Sequence, residues 1–291
     1  MLGRIAKKLL RVSKQQIRRG TVKSHPDLAR LRASECPRSK AIGDAIFETV
    51  SRIQSPEEQL AVERIERRRA ELLASQREIP KVDYGAGSWK APRTEEEVQN
   101  GVESTATVAA IARASKPVFW ATLLAKVVKC VKPTSCVELG SCVGISAAYQ
   151  AFAMQMNDQG YLYTLEGSPE TARIAAETLE SLGLSNAEVI VGRFQDTLDD
   201  TLKKAQPIDY FFNDGHHDRD AVLRYFEQAK PFLADNAVVT FDDISWSPGM
   251  RQAWEIIEKD ERVMTSVDLH DVGVVVLGPR NGDSGRFRIP L

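Results

Sequence analysis

From residue 105 onward, short apolar runs alternate along the chain with segments that carry apolar residues every three or four positions. The apolar runs predict strands at 135–139, 161–166, 188–191, 210–214 and 237–241. The segments between them predict helices at 145–156, 169–182, 196–204 and 219–233. Such an alternation of strands and helices is typical of a mostly parallel sheet with helices on both faces.

The end of this pattern differs from the rest. After a helix predicted at 248–259, strands are predicted at 263–269 and 273–277, with only a few residues between them. Because so short a connection cannot contain a crossover helix, we expect these two strands to pair antiparallel at a sheet edge. The predicted fold class is therefore α/β, with a Rossmann-like, doubly wound sheet of seven mostly parallel strands, an antiparallel edge hairpin and an N-terminal helical extension.

The N-terminal extension shows helical periodicity at 38–53 and again at 56–77. Pro80 ends this region, and a glycine-bearing linker follows at 83–88. We therefore divide the chain into an N-terminal helical extension at 1–100, an α/β domain at 101–279 and a C-terminal tail at 280–291.

The charge of the whole chain is nearly balanced, with 39 Lys and Arg against 40 Asp and Glu. Attraction to nucleic acid is therefore not expected. Residues 1–26 differ from the rest, because they hold eight basic residues and no acidic one. Within this basic arm, residues 1–20 fit an amphipathic helix that makes peripheral contact with an anionic membrane, a packed terminal helix, or an organellar transit peptide.

The compartment is constrained by what the sequence lacks. It contains no run of 18 apolar residues and no apolar secretory core near its start. Its four cysteines form no CxxC pair, which favours free thiols in a reducing compartment. We expect a cytoplasmic protein, with membrane contact through residues 1–20 left open.

The turn after the first strand of the α/β domain has the composition of a ligand-binding loop. It reads Glu138-Leu139-Gly140-Ser141-Cys142-Val143-Gly144-Ile145-Ser146. Glycines allow the backbone to approach a ligand closely, and the following helix offers free N–H groups. The dinucleotide fingerprint GxGxxG is not met, because Cys142 and Ile145 stand at its later glycine positions. Glu138 could instead face a cationic ligand group such as an amine or a sulfonium.

The next two strand tips carry polar residues as well. Glu166 ends the second strand, where doubly wound folds bind a ribose diol, although it could also cap the helix that starts near Pro169. Gly192, Phe194 and Gln195 follow the third strand and could supply an apolar wall and an amide for an adenine ring. Three such tips in this order favour a nucleoside-containing cofactor more strongly than any one of them.

The fourth and fifth strand tips are acidic. Asp214 ends the fourth strand, and Asp242 and Asp243 end the fifth. Three carboxylates at neighbouring tips would repel one another unless a cation neutralised them, and Mg²⁺ prefers such oxygen ligands. The alternative is that these acids cap the helices that follow. His216 and His217 lie between the two tips, and either could act as a general base.

Taken together, these motifs resemble the class I S-adenosylmethionine (SAM)-dependent methyltransferases. The resemblance covers residues 101–279 and is strongest to the catechol and caffeoyl-CoA O-methyltransferase-like branch and to related bacterial tailoring enzymes. It implies a cofactor site that includes Glu138, Gly140, Ser141, Gly144, Ser146, Glu166, Gly192, Phe194, Gln195 and Asp214. It also implies Mg²⁺ ligands at Asp214, Asp242 and Asp243. Two positions depart from the branch, which commonly has Asn in place of Asp243 and a lysine base in place of His217.

The function implied is metal-assisted transfer of a methyl group from SAM to a small hydroxylated acceptor by direct displacement, with His217 or His216 as the base. A metal-independent SAM methyltransferase that acts on another nucleophile is a second hypothesis. A non-catalytic, SAM-binding or membrane-recruited adaptor is a third. The N-terminal extension could cover the acceptor pocket or form a homodimer surface.

Overall fold

The computed structural model describes residues 20–88, 90–279 and 285–291. Most of the predicted basic arm, residues 1–19, lies outside the described residues. The N-terminal helices that follow are α1 (Pro26–Arg32), α2 (Pro37–Ser51) and α3 (Pro56–Ala74). Each begins at a proline, which is favourable because the first helical N–H has no partner within the helix. Helix α3 also has a capping box, in which Ser55 and Glu58 each accept the other's backbone N–H.

An antiparallel strand pair connects the N-terminal region to the α/β domain. Strand β1 (Glu78–Asp83) pairs with β4 (Val102–Thr107). Between them lie β2 (Gly87–Ser88), β3 (Ala91–Pro92) and helix α4 (Glu95–Asn100), and helix α5 (Val108–Ala112) follows β4 directly. The sequence pattern predicted a linker at 83–88 and no strands here, because these strands are short and mostly polar and lack the apolar alternation of a core strand.

The centre of the α/β domain is a sheet that has eight strands within the described ranges. They are β5 (Ser135–Leu139), β6 (Tyr161–Glu166), β7 (Ala187–Val191), β8 (Ile208–Asn213), β9 (Leu233–Phe241), β10 (Val263–Asp268), β11 (Gly273–Leu277) and β12 (Gly285–Arg288). Their order is β12-β10-β11-β9-β8-β5-β6-β7, with β11 antiparallel to both of its neighbours. The predicted α/β fold class with its antiparallel hairpin is confirmed.

Strand β12 is an addition to the seven predicted strands. It pairs parallel to β10 and falls in the segment predicted as a C-terminal tail. The division at residues 100 and 279 stays a prediction, although β1–β4 and β12–β10 pair across both boundaries.

Helices cover both faces of the sheet. One face carries α6 (Val118–Val131), α7 (Ile145–Met156) and α8 (Pro169–Ser181), and α2 and α3 pack into the same core. The other carries α9 (Phe194–Ala205), α10 (Arg219–Ala229) and α11 (Pro248–Ile257). Among the described helices, none is both long and apolar enough to cross a bilayer.

The strand order reverses at β5, which pairs in parallel with β6 on one side and with β8 on the other. Helices that leave neighbouring strands at such a point go to opposite faces, and a crevice opens above the carboxyl ends of the strands. The motifs singled out in the sequence all follow these strand ends.

Candidate active site

The loop between β5 and α7 requires glycine at two positions. Gly140 has a φ of 95°, and a Cβ there would lie 2.5 Å from the Asp214 carbonyl oxygen. Gly144 has a φ of 83°, and its Cβ would lie 2.9 Å from the Ala175 carbonyl oxygen of α8. Both positions therefore exclude a side chain, since backbone passes too close to admit one. Gly140 borders the crevice, whereas Gly144 permits the loop to pack on α8.

Glu138 supports this loop from behind. Its carboxylate is fully buried and accepts hydrogen bonds from Thr164 Oγ1 at 2.5 Å and Gln150 Nε2 at 2.9 Å. Burial raises the pKa of Glu138 to about 7. The Ser141 and Thr164 hydroxyls lie 2.6 Å apart, which extends this network to the loop. The described residues that line the crevice do not include Glu138, Ser141 or Ser146, so these three predicted cofactor contacts are not brought to the ligand side.

Glu166 lies at the tip of β6 and does face the crevice. One carboxylate oxygen accepts the N–H of Cys142 at 2.9 Å, and the other accepts the N–H of Ser168 at 3.0 Å. Burial raises the pKa of Glu166. Because each carboxylate oxygen has a second lone pair, the side chain can still accept hydrogen bonds from a ligand diol.

The crevice is a cavity of about 430 Å³, within the range of roughly 300–1,000 Å³ that is typical of small-molecule sites. The predicted site residues that line it are Gly140, Glu166, Phe194, Gln195, Asp214, His216 and His217. Gly192 is not among the described lining residues, but its N–H donates to the Glu166 carbonyl oxygen at 3.0 Å. The cavity therefore runs from the β6 and β7 tips to the tip of β8.

The N-terminal region supplies a wall of this cavity through a strand pair that the sequence did not predict. Residues 81–85, at the end of β1, line it together with the loops of the α/β domain. A Cβ on Gly167 would lie 2.7 Å from the Tyr84 ring, so that ring packs directly over the loop after β6. The pairing partner β4 lies about twenty residues further along the chain, and nothing in the local pattern indicated that this segment reaches the strand tips.

His216 joins the same wall to the domain. Its Nε2 lies 2.7 Å from the Tyr84 carbonyl oxygen, and its Nδ1 lies 2.7 Å from the Tyr225 hydroxyl. Because a carbonyl only accepts, Nε2 carries the hydrogen, and Nδ1 accepts from Tyr225. Burial lowers the pKa of His216, which favours this neutral form. Both ring nitrogens are thus used within the protein, and this geometry does not fit His216 as the general base.

His217 points instead into the carboxylate cluster. Its Nε2 lies 3.3 Å from Asp214, 3.9 Å from Asp242 and 3.7 Å from Asp243. Although burial disfavours its charged form, these carboxylates raise the pKa of His217. His217 also lines the cavity, so one imidazole connects the cluster to the space where a ligand would lie.

Lys116 lies inside the cluster and was missed by the sequence analysis. Its Nζ lies 3.2 Å from Asp214 Oδ2 and also contacts Asp242 Oδ2. Burial would lower the pKa of Lys116, but Asp214 and Asp242 raise it above its ordinary value. Ninety-eight residues separate this lysine from Asp214 in the sequence, so no local pattern indicated that the two side chains meet.

The two central carboxylates respond differently to this environment. Burial alone would raise the pKa of Asp214, but Lys116 and His217 lower it to about 2. Burial and the neighbouring Asp214 carboxylate raise the pKa of Asp242. Neither acid caps a helix, because Asp218 is the N-cap of α10 and Ser247 is the N-cap of α11.

The predicted Mg²⁺ ligand set is only partly assembled. Asp214, Asp242 and His217 each offer an atom within 4.8 Å of the others, whereas Asp243 is not part of this group. Mg²⁺ requires close-to-octahedral oxygen coordination at roughly 2.0–2.1 Å, and imidazole suits transition metals better. With an ammonium already in contact with both central carboxylates, the residues as arranged do not fit Mg²⁺.

Comparison with known proteins gives an independent view of this region. Residues 137–244 match the family model of a methyltransferase domain. The matched segment runs from β5 to the turn after β9, so it includes the strand tips from Glu138 to Asp243.

Solved structures resemble a larger part of the chain. An O-methyltransferase from Bacillus cereus in complex with S-adenosylhomocysteine is 22% identical, with a TM-score of 0.50, and the match covers 58% of this chain and 85% of that one. A Staphylococcus aureus protein assigned as a caffeoyl-CoA O-methyltransferase is 15% identical, with a TM-score of 0.51 and coverage of 64% and 93%. A methyltransferase from Podospora anserina, bound to S-adenosylhomocysteine, is 17% identical, with a TM-score of 0.50 and coverage of 58% and 82%. At these identities the likeness is one of fold.

Proposed function

We propose that this chain transfers the methyl group of SAM to a hydroxyl of a small acceptor, because residues 137–244 match the family model of a methyltransferase domain and the fold resembles that of O-methyltransferases of known structure. The observation that carries the proposal is the continuity of the cavity. The same space is lined by Glu166 and Gln195 at one end and by Asp214 and His217 at the other.

The cofactor would lie across the tips of β5, β6 and β7. Glu166 would accept the ribose hydroxyls, and Phe194 and Gln195 would contact the adenine ring. Tyr84 would close the cavity over the nucleoside, and the loop at Gly140 would run beside the methionine portion. The chemistry that SAM would supply is an electrophilic methyl group, and the reaction would need it at the end of the cavity that Asp214 and His217 line.

His217 would then remove the proton of the acceptor hydroxyl. The oxygen forms a bond to the methyl carbon while the carbon–sulfur bond breaks, which leaves S-adenosylhomocysteine as the second product and the proton on the imidazole. Asp214 and Asp242 stabilise the imidazolium that forms. Alignment of oxygen, carbon and sulfur within one cavity would supply much of the rate enhancement.

The family resemblance also implies that a divalent metal ion assists the reaction. A bound Mg²⁺ would lower the pKa of the acceptor hydroxyl. Because the residues as arranged do not fit that ion, the reaction proposed here uses only groups of the chain. Because Lys116 pairs with Asp214 and Asp242, we favour a methyl transfer that needs no metal ion.

Calorimetric titration of the purified chain with SAM, and separately with NAD, tests the cofactor part of the proposal. We expect SAM to bind and NAD not to bind. Glu166→Gln should weaken SAM binding by roughly tenfold or more, since hydrogen bonds to a charged group contribute about 1.5–3 kcal/mol. Glu170→Gln is the matched control, because Glu170 is a partly exposed acid in the following helix and is not among the described residues that line the cavity.

Two outcomes would contradict the proposal. If the wild-type chain binds no SAM, the methyltransferase assignment is wrong for this protein. If SAM binds but the enzyme transfers no labelled methyl group to any member of a panel of phenols, sugars and other small hydroxylated compounds, whether it is treated with chelator or supplied with Mg²⁺, a non-catalytic SAM-binding role is favoured.

A further inference from the structure

We propose that the Lys116 ammonium is the resident cation of the acceptor site, in the place where a divalent metal would bind, and that removing it creates a metal site. The proposal concerns the carboxylate cluster formed by Asp214, Asp242, Asp243 and His217. The expected gain of a metal site rests on the geometry of this cluster alone. The part that Lys116 takes in methyl transfer rests also on the proposed function.

The Lys116 ammonium lies between the two central carboxylates of the cluster. The Lys116 side chain is 9% exposed, and its Nζ contacts one carboxylate oxygen each of Asp214 and Asp242. The same nitrogen lies 5.8 Å from the centre of the Phe212 ring, a favourable distance for a cation over an aromatic face. A divalent ion held by Asp214 and Asp242 would be repelled by the Lys116 ammonium, which already engages one oxygen of each carboxylate.

The backbone of Lys116 is also held in place. Its carbonyl oxygen accepts a hydrogen bond from Arg69 Nη2 at 2.8 Å. Arg69 is paired with Glu66 at 2.9 Å, and Glu66 accepts the Tyr149 hydroxyl at 2.9 Å. Helices α3 and α7 therefore fix the starting point of the lysine side chain, so its approach to the carboxylates is built into the fold.

Withdrawal of the ammonium would be unfavourable. Asp242 is 5% exposed, and without Lys116 it would lie as a buried carboxylate beside another carboxylate. Removing one partner of a buried ion pair is strongly destabilising, because an uncompensated charge remains in a region of low dielectric constant. The wild-type cluster thus holds its own cation in preference to a hydrated metal ion.

The same geometry gives Lys116 a part in the proposed reaction. An ammonium has three N–H donors, and the two carboxylates take two of them. Lys116 is not itself among the described residues that line the cavity, so its third N–H would act on an acceptor oxygen that enters the cluster beside His217, as negative charge develops on that oxygen.

Binding of Mn²⁺ alone, measured by electron paramagnetic resonance and calorimetry, tests the proposal without an acceptor. We expect the wild-type chain to show no stoichiometric Mn²⁺ site. Lys116→Met should bind one Mn²⁺ at least tenfold more tightly than the wild type, because Asp214, Asp242 and His217, which each offer an atom within 4.8 Å of the others, are then free to act as ligands. The double variant Lys116→Met/Asp242→Asn should lose that gain.

Two further variants serve as controls. Lys116→Arg keeps the positive charge and should gain no Mn²⁺ binding. Lys129→Met removes a lysine that pairs with Glu58 outside the cluster and should also gain none.

The proposal is overturned if the wild-type chain binds one Mn²⁺ per chain in a manner that Asp242→Asn abolishes. This comparison of the wild type with Asp242→Asn needs no lysine variant, so it still tests the proposal if Lys116→Met does not fold. A folded Lys116→Met that gains no Mn²⁺ affinity also overturns it. SAM titration of the wild-type chain is a separate readout, so absence of SAM binding by the wild type alongside a gain of Mn²⁺ binding in Lys116→Met would refute only the proposed function.

Discussion

At the scale of single residues, the adjacent side chains of His216 and His217 have different roles. His216 uses both ring nitrogens to hold Tyr84 and Tyr225 in place, whereas His217 turns toward three carboxylates. Neighbouring residues with the same chemistry thus differ only in what surrounds them. The sequence could not separate the two histidines, because their partners come from four different segments of the chain.

We expect His217→Asn to lower the rate of methyl transfer by roughly 10²–10⁴-fold, the usual contribution of a general base. SAM affinity should change little, because the imidazole faces the acceptor end of the cavity. His270→Asn is the matched control, since His270 is exposed on the turn between β10 and β11. Unchanged turnover in His217→Asn, measured with methyl-labelled SAM, would remove His217 from the mechanism.

The same residue predicts the pH dependence of the reaction. Only neutral imidazole can accept a proton, and the carboxylates around His217 raise its pKa above the ordinary value. The rate should therefore rise with pH and level off only above that raised pKa. A pH–rate profile that falls over this interval would contradict the assignment.

Glu138 predicts a pH dependence of stability. Its pKa is about 7 in the folded protein against an ordinary 4.5, so the folded state binds the proton more tightly. The unfolding free energy should therefore fall as pH rises from about 4.5 to about 7, by on the order of 3 kcal/mol in total from this group. Urea unfolding across this interval should show a shallower decline in Glu138→Gln, while Glu170→Gln should follow the wild type. Parallel curves for wild type and Glu138→Gln would refute the prediction.

At the scale of elements, the strands of the main sheet were predictable and the strand pair from the N-terminal region was not. Strands β5 and β6 lie at their predicted bounds. A short continuous apolar run between two helical segments is typical of a buried strand. Strand β4 is mostly polar and half-exposed, so only its pairing with β1 makes it a strand. Lys116 and Tyr84 were missed for the same reason, since tertiary contacts alone bring them to the site.

Gly167→Ala tests the strand pair as a wall of the cofactor site. Its Cβ would lie 2.7 Å from the Tyr84 ring, so the ring and the end of β1 must shift away from the β6 tip. We expect SAM affinity to fall several-fold with little change in the melting temperature. Gly249→Ala is the control, because a Cβ there meets only an ordinary contact at 3.4 Å. Equal SAM affinity in the two variants would show that this wall does not contact the cofactor.

At the scale of the whole molecule, the N-terminal helices share a core with the α/β domain. Ile65 of α3 lies in the same buried cluster as Val128 of α6 and Tyr149 of α7. Such a continuous apolar core favours unfolding of the extension and the domain as one cooperative unit. The sequence predicted a helical extension, but it gave no means of judging how far the extension shares the domain's interior.

Ile65→Ala should therefore destabilise the entire chain by about 2–5 kcal/mol, the usual result of emptying a fully buried aliphatic position. Far- and near-ultraviolet circular dichroism should follow the same transition in this variant. Leu60→Ala, which changes a leucine that is 58% exposed on the same helix, should have little effect. Two separate transitions would instead mean that the extension folds as an independent unit.

The contacts from Tyr149 through Glu66 and Arg69 to the Lys116 carbonyl have a consequence for the exchange of parts between related proteins. A chimera that joined this α/β domain to a foreign N-terminal segment would keep every strand-tip motif and yet lose the support beneath Lys116. Its acceptor site would then be short of a cation, although no residue facing the substrate had been changed. The boundary that a sequence comparison suggests as a point for recombination is therefore a poor place to cut this protein.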